Sequence, residues 1–276
     1  MECNLRDIQK KQYQIFCEFD RICKKHNIRY YMAQGTLLGA VRHKGYIPWD
    51  DDIDVIIPFD ELSRLMEVFD SEKQLDFRIN NHTTEKHYPL TWTKIRADRT
   101  LSRPVQYRDI PVHWGICIDL FPIYPVSDNK FVRKLEIFFF KLARKMLIAE
   151  MTKYEENHNI VTRLFEKIPY CIRHLAVDVS QGIFALHRAR DTQYVYLTCK
   201  GGRVMEKAVI EGEAAMLPFE AGEYPAPSDY HRYLTEMFGD YMTPPPPEEQ
   251  RGHDMRLGEI EWAIYDDFNS DKGEII

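Results

Sequence analysis

The stretch MAQGTLLGAVRHKGYIPWDDDIDVIIP, from Met32 to Pro58, decides the fold of this chain. A β-rich run ends at Met32, a Gly-Thr pair follows, and the next apolar residues predict the start of a helix. The apolar run from Ile53 to Ile57 predicts a second strand, which Pro58 ends. This order of strand, Gly-Thr pair, helix and acidic strand indicates an α/β (α+β) domain.

Asp52 and Asp54 flank Ile53 at the start of the second predicted strand. Residues two apart in a strand share a face, with Cα atoms roughly 6–7 Å apart, so the two carboxylates should converge. A hard cation with oxygen ligands relieves their repulsion, which predicts a Mg²⁺ or Mn²⁺ site. Acidic runs are usually solvated loops, and that interpretation suits Asp50 and Asp51 but not Asp54, which adjoins an apolar run.

Gly35 and Thr36 lie between the first predicted strand and the helix. A glycine lets the backbone approach a phosphate closely, and the N–H groups at a helix start favour anions. Both residues are therefore candidates for binding a substrate phosphate. The alternative is that Thr36 is the N-cap of the helix.

A third carboxylate, Asp119, lies in the predicted strand GICIDLFPI, from Gly115 to Ile123, which Pro122 and Pro125 should close. A lone carboxylate between apolar residues is costly unless it is paired or bound to a metal. Asp119 is therefore the candidate third metal ligand, and it is also a candidate general base for an attacking hydroxyl. A salt bridge to an arginine is the alternative.

The other predicted elements complete a single domain over residues 1–276. In chain order they are a helix over 5–26 stopped at Asn27, a helix from Asp60, strands within 77–103, a helical insertion over about 129–200 with a break at 157–159, turns at 218–230 and a short helix at 231–239.

Composition narrows the class of protein. The formal net charge of -6 gives no support to nucleic-acid binding. The six cysteines form no C-x-x-C pair and predict reduced thiols in a cytosolic protein. The N-terminus has no apolar signal core, which also predicts a cytoplasmic location.

The most apolar stretch runs from Leu135 to Met151. Charged residues interrupt it, so it should not span a membrane. It is basic and aromatic enough to touch a membrane surface, which allows peripheral contact at the inner face of the membrane. A core-facing helix is the preferred interpretation.

The segment GTLLGAVRHKGYIPWDDDIDVIIPFDEL, from Gly35 to Leu62, resembles the LicD family of phosphotransferases, which includes the fukutin-type proteins. Further similar segments are GICIDLFPI around Asp119 and PFEAGEYPAPSDYHRYLTEMFGDYMTPPPPEEQR at 218–251. The resemblance covers most of residues 5–255 and is weakest at 130–200. It implies a nucleotidyltransferase-like fold with a Gly-Ser/Thr turn, an Asp-x-Asp strand and a later acidic strand.

The resemblance also implies a reaction. Family members transfer a phospho-alcohol, such as phosphocholine or phosphoribitol, from a CDP-activated donor to a hydroxyl of a glycan. The implied acceptors are cell-surface polysaccharide, teichoic acid or lipopolysaccharide precursors, including lipid-linked glycans. One alternative is a nucleotidyltransferase of the same fold, which would move an NMP from an NTP. The other is a non-catalytic glycan-binding protein, which the presence of all three acids disfavours.

Transfer from a CDP-alcohol requires cations, because negative charge builds on the leaving CMP. The nearest candidates by sequence are Arg42, Lys44, Lys94 and Arg96. Solvated surface is the usual fate of such residues and remains the alternative. Trp49 and Tyr46 are candidates for stacking on the base or enclosing a choline methyl group, and core packing is an equal alternative for both.

Overall fold

The computed structural model describes residues 4–74, 76–152, 160–187, 191–199, 201–250, 252 and 260–265. The strands, in chain order, are β1 (Tyr31–Met32), β2 (Asp54–Pro58), β3 (Phe77–Asn80), β4 (Thr93–Ala97), β5 (Thr100–Pro104), β6 (Cys117–Val126), β7 (Tyr194–Leu197), β8 (Arg203–Glu206), β9 (Ala215–Phe219), β10 (Gly222–Ala226) and β11 (Ile260–Ile264). The α-helices are α1 (Leu5–His26), α2 (Gln34–His43), α3 (Phe59–Glu72), α4 (Lys130–Thr152), α5 (Ile160–Glu166), α6 (Tyr170–Ala185), α7 (Lys207–Ile210) and α8 (Tyr230–Phe238).

A mixed sheet of seven strands forms the centre of the molecule. Its order is β1-β2-β6-β4-β3, and β7 pairs with the second half of β6 and with β8. β2 and β6 run parallel, whereas the other neighbours run antiparallel. Two further antiparallel pairs, β9–β10 and β5–β11, lie outside this sheet. The predicted α+β class is confirmed.

Helix α1 packs on the sheet against β4 and β6, and the predicted helix over 5–26 is confirmed. Asn4 caps its start, because the Asn4 side chain accepts a hydrogen bond from the Asp7 N–H at 3.1 Å. Asn27 ends it in the left-handed conformation, with a φ of 51°. Its apolar stripe, which includes Ile15 and Phe19, is fully buried in the main core.

The prolines of β6 lie inside the strand, so the prediction that they close it is wrong. Proline lacks an N–H and is tolerated in a sheet only where no neighbour needs that donor. Pro122 lies where β6 changes partner on one side, since β4 pairs as far as Leu120 and β7 begins at Ile123. Pro125 lies beyond the last residue that pairs with β2. Neither proline therefore interrupts pairing on both sides.

Three helices, α4, α5 and α6, follow β6, and the last of them ends at Ala185. Phe140 of α4 and Phe184 of α6 pack on Tyr124 and Tyr196 of the sheet. The prediction that helix continues to residue 200 is wrong, because β7 extends the sheet there. The Tyr-Val-Tyr-Leu sequence of β7 suits a pleated surface better than a helix. The break predicted at 157–159 lies outside the described residues.

The segment predicted as turns at 218–230 contains part of a β-hairpin. β9 and β10 pair around Glu220, which takes a φ of 54°. The Glu220 carboxylate accepts hydrogen bonds from the Arg6 guanidinium at 2.5 Å and from the Tyr46 N–H at 3.2 Å, which ties the hairpin to α1 and to the loop after α2. The short helix predicted after the turns is confirmed as α8.

Candidate active site

The parallel pairing of β2 with β6 places two acids side by side. Asp54 opens β2 and lies opposite Asp119 of β6, and the Asp119 N–H donates to the Ile53 carbonyl at 2.8 Å. Asp54 is 8% exposed and Asp119 is 9% exposed. Burial raises the pKa of Asp54 well above its usual range, and the Asp119 carboxylate raises it further. The two acids form the centre of the candidate site.

Asp52 joins these acids from the residues just before β2. Burial raises the pKa of the Asp52 carboxyl well above its usual range, and the Asp54 carboxylate is the next largest cause. Asp119 also raises the pKa of Asp52. The structure therefore brings the three predicted acids into one electrostatic cluster.

Asp50 and Asp51 belong to the same cluster, and the solvated-loop interpretation is wrong for Asp51, whereas Asp50 is half-buried. Asp51 is only 5% exposed, and both residues raise the pKa of Asp52. Asp50, Asp51 and Asp52 each offer a carboxylate oxygen within 4.8 Å of the other two, a spacing that a cation can bridge. Oxygen donors of this kind are the ligands of Mg²⁺ and Mn²⁺. The donor set of Asp50, Asp51 and Asp52 therefore fits the predicted metal, while ligation by Asp54 and Asp119 stays a prediction.

Two glutamines of α1 hold the backbone of this acidic run. The Gln9 side-chain amide donates to the Asp50 carbonyl at 2.9 Å, and the Gln12 amide donates to the Asp51 carbonyl at 2.7 Å. Sequence reasoning missed both. Their position in the sequence could have indicated burial, because Gln9 and Gln12 fall on the same helical stripe as Ile15 and are buried with it.

Gly35 and Thr36 also hold the acids in place. A Cβ atom at Gly35 would overlap the Asp50 carboxylate, so a larger residue there would require the Asp50 side chain to move. Thr36 is not the N-cap of α2, because Ala33 holds that position. The Thr36 hydroxyl instead accepts from the Asp54 N–H at 2.8 Å. Contact of either residue with a substrate phosphate stays a prediction.

Asp119 is bound at both carboxylate oxygens. Lys94 of β4 donates to Oδ1 at 2.5 Å, and the Trp92 indole N–H donates to Oδ2 at 3.1 Å. The salt bridge considered for Asp119 therefore exists, with a lysine rather than an arginine. Burial lowers the pKa of Lys94, but Asp119 and then Cys117 raise it, and the net pKa lies above its usual range. Lys94 is a charged member of the site.

The structure gives the other predicted cations different surroundings. Arg96 is 3% exposed, donates to the Gly115 carbonyl at 2.9 Å and lies over the Trp114 ring, so it braces β4 and β6. Arg42 donates to a carbonyl at 3.1 Å; burial lowers its pKa, while Asp50 raises it. Lys44 is exposed and donates to the Val41 carbonyl at the end of α2.

The two aromatic candidates also differ. Trp49 is half-buried, packs partly on the main core and lies edge-on to the His43 ring, with centroids 6.4 Å apart. Tyr46 is buried, and its hydroxyl donates to the Gln9 carbonyl at 2.9 Å. Tyr46 is therefore a core residue, whereas Trp49 keeps an exposed part beside Asp50.

Arg144 of α4 is a cation that sequence proximity could not reveal. Its guanidinium lies 5.3 Å from the centre of the Trp92 ring, whose N–H binds Asp119. It donates to the Thr198 carbonyl at 3.2 Å, and burial lowers its pKa. Within the part of the chain that the structure describes, Arg144 has no carboxylate partner. A half-buried, unpaired arginine beside an acidic cluster is suited to bind an anion.

Comparison with known proteins agrees with this geometry. Residues 27–159 match the LicD/FKTN/FKRP nucleotidyltransferase domain. The chain contains a LicD family domain. That domain includes α2, β2, β6 and all of α4, and therefore every acid of the cluster together with Arg144.

The relatives of this LicD family domain include one that matches over almost its whole length. The lipopolysaccharide cholinephosphotransferase LicD of Haemophilus influenzae is 28% identical over 267 residues, which cover 91% of this chain and 96% of that protein. An uncharacterized protein of Rickettsia typhi is 40% identical over 127 residues, 43% of this chain and 38% of its own. The LicD resemblance inferred from the sequence is confirmed.

Proposed function

We propose that this chain is a LicD-type phosphotransferase that moves phosphocholine, or a similar phospho-alcohol, from a CDP-activated donor to a hydroxyl of a cell-surface glycan. The relative that matches over 96% of its length is named a lipopolysaccharide cholinephosphotransferase, and lipopolysaccharide is therefore the first acceptor to consider, ahead of teichoic acid precursors. The observation that carries the proposal is the opposition of Asp54 and Asp119 on adjacent parallel strands inside a LicD family domain.

A bound Mg²⁺ or Mn²⁺ is part of the proposal. Asp52 and Asp54 would hold it, because burial and then the neighbouring carboxylates raise the pKa of each, and a bound cation would favour their charged forms. When bound, the ion would neutralise the donor's diphosphate and polarise its phosphoryl oxygens. Asp50 and Asp51 add negative charge that makes the same place more favourable for a divalent cation.

The chain's own residues then handle the proton and the phosphate charge. In the proposed step, the acceptor hydroxyl oxygen attacks the phosphorus that carries the alcohol, and the bond from that phosphorus to the bridging oxygen breaks, so CMP leaves. The hydroxyl proton passes to Asp119, which Lys94 and Trp92 hold in a fixed orientation. Lys94 and Arg144 are the cations placed to bind the phosphate oxygens as charge moves to CMP.

The reaction also suggests where the protein works. A lipid-linked glycan acceptor and a nucleotide donor meet at the inner face of the cytoplasmic membrane, so we place the protein in the cytoplasm at that face.

One experiment tests the donor class. The purified protein is incubated with CDP-choline, CDP-ribitol, CDP-glycerol, ATP or CTP, each with Mg²⁺ and a lipopolysaccharide acceptor, and CMP and pyrophosphate are measured together. We expect CMP release with one CDP-alcohol, its loss in chelator, and its loss in Asp54→Asn. Asp70→Asn is the matched control, because Asp70 is an exposed acid of α3 far along the chain from the cluster. Pyrophosphate release from an NTP, with CDP-alcohols inert, would replace this function with nucleotidyl transfer.

A further inference from the structure

The surface of the three helices after β6 differs from the rest of the protein. Thirteen of the seventeen exposed large hydrophobic side chains among the described residues lie between residues 131 and 186. Contiguous exposed apolar surface on a water-soluble domain marks a site of interaction with another molecule. The apolar surface of α4, α5 and α6 is therefore expected to be covered when the protein works.

Helix α4 has a buried face and an exposed apolar face. Phe140, Ala143 and Leu147 are buried against α6 and the sheet, as the core-facing interpretation predicted. The other face is the kind of surface that the membrane-contact alternative requires. Its six large apolar side chains are each at least 37% exposed, namely Phe131, Val132, Leu135, Phe138, Phe139 and Leu142. Helical spacing places these six on one continuous arc, which we call the α4 apolar face.

The exposed charges of α4 are all positive. Lys130, Lys134, Lys141 and Lys145 are exposed, and none makes an ion pair in the part of the chain that the structure describes. The last three fall on one edge of the α4 apolar face by helical spacing. We call all four the α4 lysines.

Both acids of α4 are withdrawn from this surface. Glu136 is 7% exposed and binds the His187 ring at 2.6 Å, and Glu150 is 8% exposed and lies 3.6 Å from the Arg173 guanidinium. The exposed part of α4 therefore combines apolar side chains with uncompensated positive charge.

We propose that the α4 apolar face and the α4 lysines dock this protein on the surface of a bilayer that contains anionic lipids. An amphipathic helix of this composition lies in the plane of the interface, with its aromatic side chains at the boundary of headgroups and acyl chains and its lysines on lipid phosphates. Among the described residues, no helix is both long and apolar enough to cross a bilayer.

The charge of the surface favours lipid over a second copy of the chain. A symmetric dimer through this face would place α4 lysines of both copies in one interface. Since neither acid of α4 is exposed, the helix offers them no counter-charge. Anionic headgroups supply that charge, and acyl chains cover the apolar arc at the same time.

Vesicle co-sedimentation of the full chain tests the proposal. We expect binding to vesicles of phosphatidylcholine with phosphatidylglycerol, much weaker binding to pure phosphatidylcholine, and weakening by salt. Phe138→Ser/Phe139→Ser and Lys134→Gln/Lys141→Gln should each lower the partition coefficient about tenfold or more. The matched controls are Met216→Ser, which removes a 50% exposed side chain elsewhere, and Lys10→Gln/Lys86→Gln, which removes the same charge elsewhere; neither should change partitioning.

Three outcomes would overturn docking on lipid. The first is no sedimentation with anionic vesicles. The second is vesicle binding that the α4 variants leave unchanged, which would assign it to another surface. The third is a dimer, seen by light scattering, that only the α4 variants dissociate. Circular dichroism melts show whether each variant folds. CMP release is measured separately, so the failure of the proposed reaction and the failure of docking are distinguishable.

Discussion

Replacing Lys94 by methionine should destabilise the metal-free protein strongly. The Lys94 ammonium lies 2.5 Å from Asp119 Oδ1, and the two side chains are only 16% and 12% exposed. Coulomb's law at that distance, with an effective dielectric constant of 20, gives an attraction of about 6–7 kcal/mol before desolvation is subtracted. Breaking one side of a buried pair typically costs about 3–5 kcal/mol. We expect a loss in that range for Lys94→Met, because Asp119 would then lie beside Asp54 with no direct cationic partner.

Urea unfolding followed by circular dichroism, in chelator and in excess Mg²⁺, measures this loss. In chelator, the midpoint should fall by about 1–2 M, since m-values are on the order of 1–3 kcal/mol per M. Excess Mg²⁺ should return part of the stability, because binding to the folded state adds to it. Lys86→Met, which removes an exposed lysine that forms no ion pair with any residue the structure describes, should change the free energy of unfolding by less than about 0.5 kcal/mol.

A double variant tests whether the loss of stability comes from leaving the Asp119 charge unpaired. Lys94→Met/Asp119→Asn removes both partners, so it should recover much of what Lys94→Met loses. If Lys94→Met in chelator were as stable as wild type, the Lys94–Asp119 pair would not be a structural part of the site, and the electrostatic account of the cluster would be wrong.

Three further predictions concern the cluster and its surroundings. Asp54→Asn should abolish transfer yet stabilise the metal-free protein at pH 7. The folded pKa of Asp54 is raised, so the wild-type protein loses stability as pH rises above the unfolded carboxyl pKa of about 3.9. A difference in melting temperature between the two proteins that stays constant across pH 4–8 would contradict this. Arg144→Gln should lower kcat/KM for the donor by about tenfold to a hundredfold with an unchanged melting temperature, and Arg144→Lys should retain part of the rate. Wild-type kinetics in Arg144→Gln would exclude the arginine from phosphate binding. Gly35→Ala should destabilise the protein by about 1–3 kcal/mol in chemical unfolding, because the new Cβ meets the Asp50 carboxylate. An unchanged unfolding midpoint would show that the loop carrying Asp50 can move without a cost in stability.

The sequence was sufficient for the elements whose signals are local. Asn27 was predicted to end α1 and does so, and alternation around Asp52 and Asp54 predicted acids at the start of a strand. Their proximity to Asp119 followed once both segments were read as strands, but the parallel register that opposes Asp54 to Asp119 is a property of the sheet, not of either segment.

The parts that the sequence could not provide depend on distant contacts. Pro122 is tolerated because the pairing of β6 with β4 ends before it and the pairing with β7 begins after it. No local sequence signal predicts that change of partner. Proximity along the chain favoured Arg96, which binds a backbone carbonyl, and overlooked Arg144, which reaches Trp92 only because α4 packs back on the sheet. Exposure of the α4 apolar face was equally invisible, since periodicity shows that faces exist but not which of them is covered.

Helix α4 takes part in both the proposed reaction and the proposed docking. Arg144 leaves the helix toward Trp92, while the α4 lysines are exposed to solvent, so one helix would contact both the reacting phosphate and the lipid headgroups. A glycan carried on a lipid could then be modified without leaving its leaflet. The acceptor would then meet the enzyme by diffusing in the plane of the membrane. The rate of encounter would depend on the acceptor's mole fraction in the membrane rather than on its molarity. Diluting the acceptor with inert lipid should slow turnover even when the amount of acceptor in the tube is constant.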